Sequence, residues 1–419
     1  MKKRESMHCC CFFVLFISIF LFKPARSQVH DLGYFLQQGL NNSPLLKDLS
    51  NQLRSNSIDS MIVRANHLPQ VNVDGLLSYA PVINGYGYSE AITNGGNFIS
   101  VISVSQPLFN NNTLQARYSR LGLQNKSVSN TATITRKELK KAITMQYLTA
   151  CGIYSELSFW SVLLKSSGQE EILLKTMVEQ GIYKPTEYLS FVVELQSLEF
   201  RQNDLQTQYL KELSNLSLLC GISDTGNYSL ILPEFADLSN HSQTDSPFFL
   251  RFKLDSLKIL NDRLLIDRDY KPKFGWIADA GLVNNDPALL YKNFGLNVGL
   301  TFSLPVYDGN QRKLNYEKLK ATEETRCDYR DFFSNQYNQQ LRQLNEELRR
   351  TRGLLPRIGA QLNLAETIIN QDKRLLESGG ISITDYVIAL KNYVIIQSNL
   401  NQFRIKVLQL MNEINYWKE

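Results

Sequence analysis

The stretch FGLNVGLTFSLPVYDGNQRKLNYEKLK, from Phe294 to Lys320, decides the fold of this chain. Its first part alternates strictly between apolar side chains and small or polar ones. Because successive side chains of a strand point to opposite faces, the alternation predicts a strand with one apolar and one polar face. About ten residues of this pattern suit a tilted strand that spans a bilayer, with one face toward lipid and the other toward water.

The same stretch predicts that the strand passes almost directly into a long helix. Pro305 ends the strand because it has no N–H group to donate to a sheet. Asp308 can cap the helix that follows, where a charged and helix-favouring sequence begins. A junction of this kind occurs twice in the chain, and the earlier one is at Pro107.

Three further segments alternate in the same way and are predicted as strands: residues 70–79, 97–105, where Pro107 follows, and 273–283. With the strand at 294–304, they carry side chains expected to face lipid, and the residues we single out are Phe274, Trp276, Phe294, Leu296, Val298, Leu300 and Phe302. Most of the remaining chain has helical periodicity, with a break expected near Pro44, a kink at Ser166–Gly168 and a bend or interruption around Pro356.

The first residues have the features of a secretory signal peptide, predicted at 1–27. Lys2, Lys3 and Arg4 form a basic start, Cys10 to Phe22 is an apolar run, and small residues precede Gln28. A single anchoring helix is the alternative interpretation. No cysteine follows the apolar run, so the sequence does not indicate a lipid anchor.

Charge and cysteine content narrow the classes of function. The formal charge of +5 over 419 residues is small, and no basic block indicates a nucleic-acid partner. Beyond the signal peptide, Cys151, Cys220 and Cys327 are too few and too scattered for a disulfide framework. We expect them to be small apolar residues on helices.

An internal repeat organises the chain. Each half reads helix, strand, strand, long helix, glycine turn, long helix. Pro107 and Pro305 are 198 residues apart, and the same offset relates Gly181 to Gly379 and Thr186 to Thr384. A constant offset indicates a duplication. We therefore assign residues 28–222 to the first repeat, 223–245 to an equatorial linker between the repeats, and 246–419 to the second repeat.

The helices are predicted to be long and to pack as coiled coils. Apolar residues recur every three or four positions from Tyr386 to Trp417, and most of this seam is present 198 residues earlier. A helix from Gly309 to about Leu376 would reach about 100 Å at 1.5 Å per residue. Apolar residues also flank the last seam, which indicates a layer of helices rather than an isolated hairpin.

Four strands are too few to close a barrel, and an open sheet edge cannot face lipid. Membrane-spanning strands in this chain would therefore be shared among several copies, with the helices continuing the barrel as a cylinder. The fold class predicted is mainly α with a membrane β-barrel portion: a duplicated helix–strand–strand–helix plan, a long α-helical coiled-coil barrel and a shared β-barrel.

The chain resembles the TolC-like outer-membrane efflux protein family over nearly all of its mature length. The resemblance rests on the duplicated plan and on the junctions SQPLFNNN (105–112) and SLPVYDGN (303–310). It rests also on the hairpin tips EQGIYKPTEY (179–188) and ESGGISITDY (377–386). Each motif is weak alone, but their order and common register are specific.

The resemblance implies a homotrimer with a twelve-stranded barrel in the outer-membrane lipid and helices that extend into the periplasm. It implies a passive exit duct for efflux or type I secretion, opened when a periplasmic membrane-fusion (adaptor) protein docks with an inner-membrane pump such as an RND or ABC transporter. The residues that it assigns to the adaptor-docking tips are Gly181, Thr186, Gly379, Gly380, Thr384 and Asp385. Helix capping is the alternative role for the Thr and Asp residues.

No catalytic, metal or cofactor site is predicted. The sequence has no P-loop, no G-x-S-x-G and no G-x-G-x-x-G, and its few histidines have no metal-like spacing. An enzyme is therefore not expected. The main alternative is a periplasmic coiled-coil adaptor or structural interaction protein whose strands form a small soluble domain. That alternative does not require apolar residues along the full outward face of the strands.

Overall fold

The structure is a computed structural model that describes residues 29–87, 95–108, 111–223, 228–235, 246–285 and 287–418. The predicted signal peptide and most of the predicted linker lie outside these residues. Seven α-helices are described: α1 (Leu32–Asn42), α2 (Pro44–Ala65), α3 (Asn111–Glu179), α4 (Pro185–Cys220), α5 (Pro247–Asp269), α6 (Gln311–Glu377) and α7 (Ile383–Lys418). The strands are β1 (Val29–His30), β2 (Gln70–Ala80), β3 (Gly95–Leu108), β4 (Ser229–Leu230), β5 (Lys273–Asn284) and β6 (Phe294–Ser303).

The chain divides into two compact units, and each unit takes segments from both halves of the sequence. The first unit comprises Met1–Ser43, Glu138–Leu238 and Leu341–Trp417. The second comprises Pro44–Lys137, Ser239–Gln340 and the last two residues. The second unit holds the four long strands, and the first holds both helical hairpin turns.

A four-stranded sheet in the order β2-β3-β5-β6 forms in the second unit, with all neighbours antiparallel. Within the described residues, β2 and β6 each have a neighbouring strand on one side only, so this sheet is open. The predicted strands are confirmed, and their ends differ from the prediction by a few residues.

The prediction that Pro107 lies outside its strand is wrong, because β3 continues to Leu108 and pairs Pro107 with Gly275. The reason is that β2 begins at Gln70, opposite Ser105, so β3 has a partner on one side only at Pro107. A proline without an N–H is tolerated where one edge of the strand is free. Pro305, in contrast, lies beyond the end of β6 at Ser303, as predicted.

The long helices are continuous through the positions where a kink or a bend is predicted. α3 is continuous through Ser166–Gly168 over 69 residues, and α6 is continuous through Pro356 over 67 residues. A proline inside a helix costs about 3 kcal/mol. Leu348 and Leu355, which both precede Pro356 on α6, pack with Leu410 and its neighbours on α7, and this burial offsets the cost. The predicted break near Pro44 is present, between α1 and α2.

A core that the sequence did not reveal encloses the first described residues. β1 pairs in parallel with β4, and Phe35 of α1 is fully buried with Tyr147 of α3. The Tyr147 hydroxyl lies 2.7 Å from the carbonyl oxygen of Ile231 and 3.2 Å from that of His30. Two-residue strands have no detectable periodicity, so the pairing depends on contacts distant in sequence.

The three cysteines outside the signal peptide are free, as expected. Cys151 and Cys220 are buried in the same core as Tyr147. Burial raises the pKa of the Cys151 thiol to about 12 and the pKa of the Cys220 thiol to about 11. Both thiols are therefore protonated and unreactive at neutral pH.

Candidate functional site

The turn between α3 and α4 is built around Gly181, which has a φ of 79°. Its N–H donates to the carbonyl of Val178 at 3.0 Å, and the N–H of Ile182 donates to that of Met177 at 2.9 Å. These two bonds satisfy the last carbonyls of α3 in a Schellman arrangement. Glycine is favoured here because other residues rarely adopt a positive φ.

The turn between α6 and α7 repeats this arrangement at Gly379, which has a φ of 73°. Its N–H donates to the carbonyl of Leu376 at 3.2 Å, and the N–H of Gly380 donates to that of Leu375 at 2.7 Å. Gly379 is therefore the structural counterpart of Gly181, while Gly380 corresponds to Ile182. All six predicted tip residues are exposed at these two turns or in the first turns of α4 and α7.

The alternative that Thr186 and Thr384 cap the returning helices is wrong. α4 begins at Pro185 after Lys184, which makes no side-chain cap. α7 begins at Ile383, and its cap is Ser382, whose hydroxyl accepts the N–H of Asp385 at 3.1 Å. Ser382 in turn donates to the Asp385 carboxylate at 2.6 Å. Both threonines lie one residue inside their helices, exposed and available to a partner.

The two turns contact each other through Tyr183, a residue that the sequence did not single out. Its hydroxyl lies 2.8 Å from the carbonyl oxygen of Leu376 and 2.9 Å from that of Ile381. A hydroxyl on the first hairpin thus satisfies carbonyls at the end of the second. Around it lies an apolar core from both hairpins: Leu174, Met177, Phe191, Leu376, Ile383, Tyr386 and Val387.

A buried carboxylate also joins the two hairpins. Glu170 of α3 is 6% exposed and lies 2.8 Å from the Lys373 ammonium of α6. It accepts a hydrogen bond from the Tyr386 hydroxyl of α7. Burial, with the Glu170 charge beside it, raises the pKa of Tyr386 well above its ordinary value, so the phenol remains a donor.

The one signal in the sequence for this cluster is Tyr386 on the apolar seam. A buried tyrosine needs a partner for its hydroxyl, but the sequence could not show that Glu170 is that partner. The pair is 216 residues apart in the chain.

The predicted lipid-facing side chains lie on one face of the sheet. The register places Phe274 opposite Phe302 and Trp276 opposite Leu300, and the two phenyl rings are 5.1 Å apart. Leu300 is 85% exposed, and only Trp276 of the predicted set is half-buried. The same face continues across β3 and β2, where its larger apolar residues are Phe98, Ile102, Val104, Leu108, Val71, Val73, Leu77 and Tyr79.

The other face of the sheet carries small and polar residues together with some aliphatic ones. Ser103 donates to the Asp74 carboxylate at 2.8 Å, and Asn297 donates to that of Asp279 at 3.2 Å. Glycines occupy alternate positions of β6 on this face. The two faces therefore differ in the way that separates a lipid-facing side from a wet side.

A polar cluster fixes the junction between β6 and α6. The Asp308 carboxylate accepts the N–H of Arg312 at 2.8 Å, as a cap does, and also accepts the Tyr270 hydroxyl. The Arg312 guanidinium lies 2.8 Å from Asp267, which also accepts the Tyr316 hydroxyl. These hydrogen bonds lower the pKa of both carboxyl groups. The sequence revealed only the role of Asp308.

None of the described helices has the length and the apolar composition needed to cross a membrane. In the same part of the chain, no three or more His, Cys, Asp or Glu side chains are placed to hold a metal ion.

Comparison with known proteins places this fold. No protein-family model matches the sequence, and no curated protein matches it. Among solved structures, a membrane protein from Pseudomonas aeruginosa has a TM-score of 0.76 at 14% identity, over 93% of this chain and 91% of that chain. The Campylobacter jejuni CmeC outer membrane channel gives 0.74 at 14% identity, over 92% and 85%. The outer membrane protein VceC from Vibrio cholerae gives 0.74 at 12% identity, over 92% and 96%.

The likeness covers almost the whole length of both chains in each pair. At such low identities it establishes the fold, and the resemblance to TolC-like channels predicted from the sequence is confirmed at that level. The described residues are mainly helical with a small sheet, and they share their fold with these solved structures.

Proposed function

We propose that this chain is the outer-membrane channel of an efflux or type I secretion system. It acts as a passive, non-catalytic duct from the periplasm to the exterior. The observation that carries the proposal is the continuous apolar face of the sheet, exposed from Val71 on β2 to Leu300 on β6. An exposed apolar face of this extent needs a covering, and lipid covers it without any other protein.

The open edges of the sheet support a shared barrel. In the part of the sheet that the structure describes, β2 and β6 leave unpaired backbone groups, which cannot face hydrocarbon. Three copies of a four-stranded sheet give twelve strands, enough for a water-filled lumen. A homotrimer in the outer membrane, with the helices in the periplasm, satisfies both conditions.

The two helical turns are proposed to dock a periplasmic membrane-fusion (adaptor) protein and, through it, an inner-membrane pump of the RND or ABC class. Gly181, Thr186, Gly379, Thr384 and Asp385 are exposed there. Tyr183 and Glu170 hold the two hairpins together just behind the exposed residues. Opening by an adaptor would have to break these contacts.

The decisive experiment is fractionation of cells that express the full chain, followed by gel mobility with and without heating and by the crosslinked mass. We expect the protein in outer membranes as a detergent-resistant trimer that conducts ions in planar bilayers. A soluble monomer or dimer in the periplasm would overturn the proposal and favour a coiled-coil adaptor. A membrane trimer without conductance would indicate a scaffold.

A further inference from the structure

The middle of α6 carries an exposed band of arginines. Between Arg342 and Arg357, one face of the helix presents Arg342, Glu346, Arg349, Arg350, Gly353 and Arg357, and we call this set the arginine face. These positions lie within an arc of about 100° at 3.6 residues per turn. Four arginines and one glutamate give it a formal charge of +3. Arg349 and Arg350 are 73% and 74% exposed at their side chains.

Glu346 holds two of the guanidinium groups side by side. Its carboxylate accepts bonds from Arg349 at 2.7 and 2.9 Å and from Arg350 at 2.7 Å. One carboxylate therefore orders two cations without neutralising both. The guanidinium N–H groups that do not bond to Glu346 stay available. Their planar arrangement suits bidentate hydrogen bonds to a carboxylate.

The repeat shows that helix packing does not require this face to be charged. The counterparts of the four arginines 198 residues earlier lie on α3, where Thr144 and Cys151 are buried and Gly152 and Phe159 are half-buried. Cys151 packs there in the core that also contains Phe35 and Leu230. The counterparts of the arginines are thus uncharged and at least half-buried in the first repeat, whereas the arginines are exposed in the second.

The chemistry of the face favours a wet, anionic partner. Farther along the same side of α6, the exposed residues become apolar at Leu364, Ile368 and Leu375. Such a stripe suits another helix, but burying four arginines against a helix would carry a large desolvation cost. The arginine face itself has no aromatic or large apolar side chain, which a stable protein interface needs at its centre.

We propose that the arginine face binds the carboxylates of peptidoglycan. This inference rests on the proposed function, because export to the periplasm is what brings the face to that polymer. Peptidoglycan is a hydrated polymer that carries carboxylates at repeated intervals along its stem peptides. A row of planar, exposed guanidinium groups binds such groups through solvent-exposed ion pairs that salt weakens.

The test is sedimentation of the full chain in detergent with purified peptidoglycan sacculi. We expect the wild-type protein to sediment with sacculi, and added salt to weaken the binding. The variant R342Q/R349Q/R350Q/R357Q is expected to bind about tenfold more weakly, since four exposed ion pairs are lost. The wild-type protein should also bind about tenfold more weakly to sacculi whose carboxylates have been converted to neutral amides.

The matched control is K140Q/K165Q/K175Q/K211Q, which removes the same charge from exposed positions of α3 and α4 in the same unit. It should bind sacculi as the wild type does. Equal weakening by both variants would overturn the proposal, because it would indicate net charge alone. Equal binding of the wild type and the arginine variant would overturn it as well.

Two further measurements distinguish peptidoglycan binding from contact between copies of the chain and from misfolding of the variant. If the arginine variant changes the crosslinked mass rather than binding, the face is an interface between copies and the proposal is wrong. The variant R342K/R349K/R350K/R357K keeps the charge and should retain most of the binding, which guards against loss by misfolding. Conductance and trimer mass of the wild type test the proposed function independently of sacculi.

Discussion

The hydroxyl of Tyr183 lies 2.9 Å from the carbonyl oxygen of Ile381, the residue that occupies its own position in the second repeat, 198 residues later. Each hairpin has a glycine turn of the same shape, but only one hairpin has a tyrosine at this point. The contact therefore makes the two tips unequal and links them directly.

Replacing Tyr183 by Phe should loosen the pair of tips without disturbing either turn. The ring stays in the apolar core, while the Leu376 and Ile381 carbonyl oxygens lose the shared hydroxyl and Leu376 keeps the N–H of Gly379, so the loss costs about 1–2 kcal/mol. Hydrogen exchange should be faster for the amides of residues 376–383, and channels should open more often in planar bilayers. Tyr188→Phe is the control, since its hydroxyl bonds to Glu171 of its own hairpin. Equal effects of the two variants would contradict a specific role for Tyr183.

Glu170→Gln should weaken the contact between the hairpins more than Tyr183→Phe does. Glu170 is buried and serves Lys373 and Tyr386 at once, and bonds to charged groups contribute about 1.5–3 kcal/mol. Lys373 is more than one-third exposed, so the contribution of its ion pair with Glu170 lies at the low end of that range. A double-mutant cycle with Lys373→Gln, read by thermal unfolding, measures the coupling. Additive losses would show that the ion pair contributes nothing, and Glu171→Gln should have little effect.

Leu300→Arg should prevent stable insertion in the outer membrane. The side chain lies on the exposed apolar face of β6, where an arginine at the bilayer midplane costs about 2–4 kcal/mol per copy. The neighbouring Thr301 is on the opposite face, so Thr301→Arg should assemble and alter only conductance. Heat-modified gel mobility of membrane fractions distinguishes the two. Normal assembly of Leu300→Arg would place this face away from lipid.

The junction at the start of α6 should weaken in acid. Hydrogen bonds from Tyr316 and Arg312 lower the pKa of Asp267, and those from Tyr270 and the Arg312 backbone lower the pKa of Asp308. A carboxyl whose pKa is lowered in the folded state contributes stability above its unfolded pKa, and this is lost as the pH falls through the folded value. The loss should therefore begin only below about pH 4.

Unfolding by denaturant between pH 7 and pH 2 measures this dependence, with D267N/D308N as the comparison. The variant should be less stable than the wild type at pH 7 and should converge with it in acid. Curves that stay parallel down to pH 2 would show that these carboxylates do not contribute through their charge.

The two buried cysteines should resist alkylation in the folded protein. Burial raises the pKa of Cys151 to about 12 and of Cys220 to about 11, so their thiolate fraction at pH 8 is very small. Iodoacetamide at pH 8 should label both only after unfolding, as mass spectrometry of peptides can show. Rapid labelling of Cys151 in the native protein would mean that the core around Tyr147 opens readily.

The sequence by itself determined the repeat, the strands, the long helices and the glycine turns, because each depends on the local spacing of residues. Alternation over ten residues identifies β6, and a positive φ at Gly181 and Gly379 follows from glycine in a turn. The sequence also predicts which face of the sheet each side chain lies on. Side chains alternate between the two faces, so the face of one residue fixes the face of every other residue in its strand.

Only the tertiary structure decided which distant residues meet. Glu170 and Tyr386 are 216 residues apart, and β1 and β4 are two-residue strands, distant in the sequence, that pair in parallel. It also decided that α6 passes through Pro356 and that β3 passes through Pro107, against local preference. In each case burial or a missing neighbour outweighs a local cost of a few kcal/mol, and a sequence pattern contains no measure of that balance.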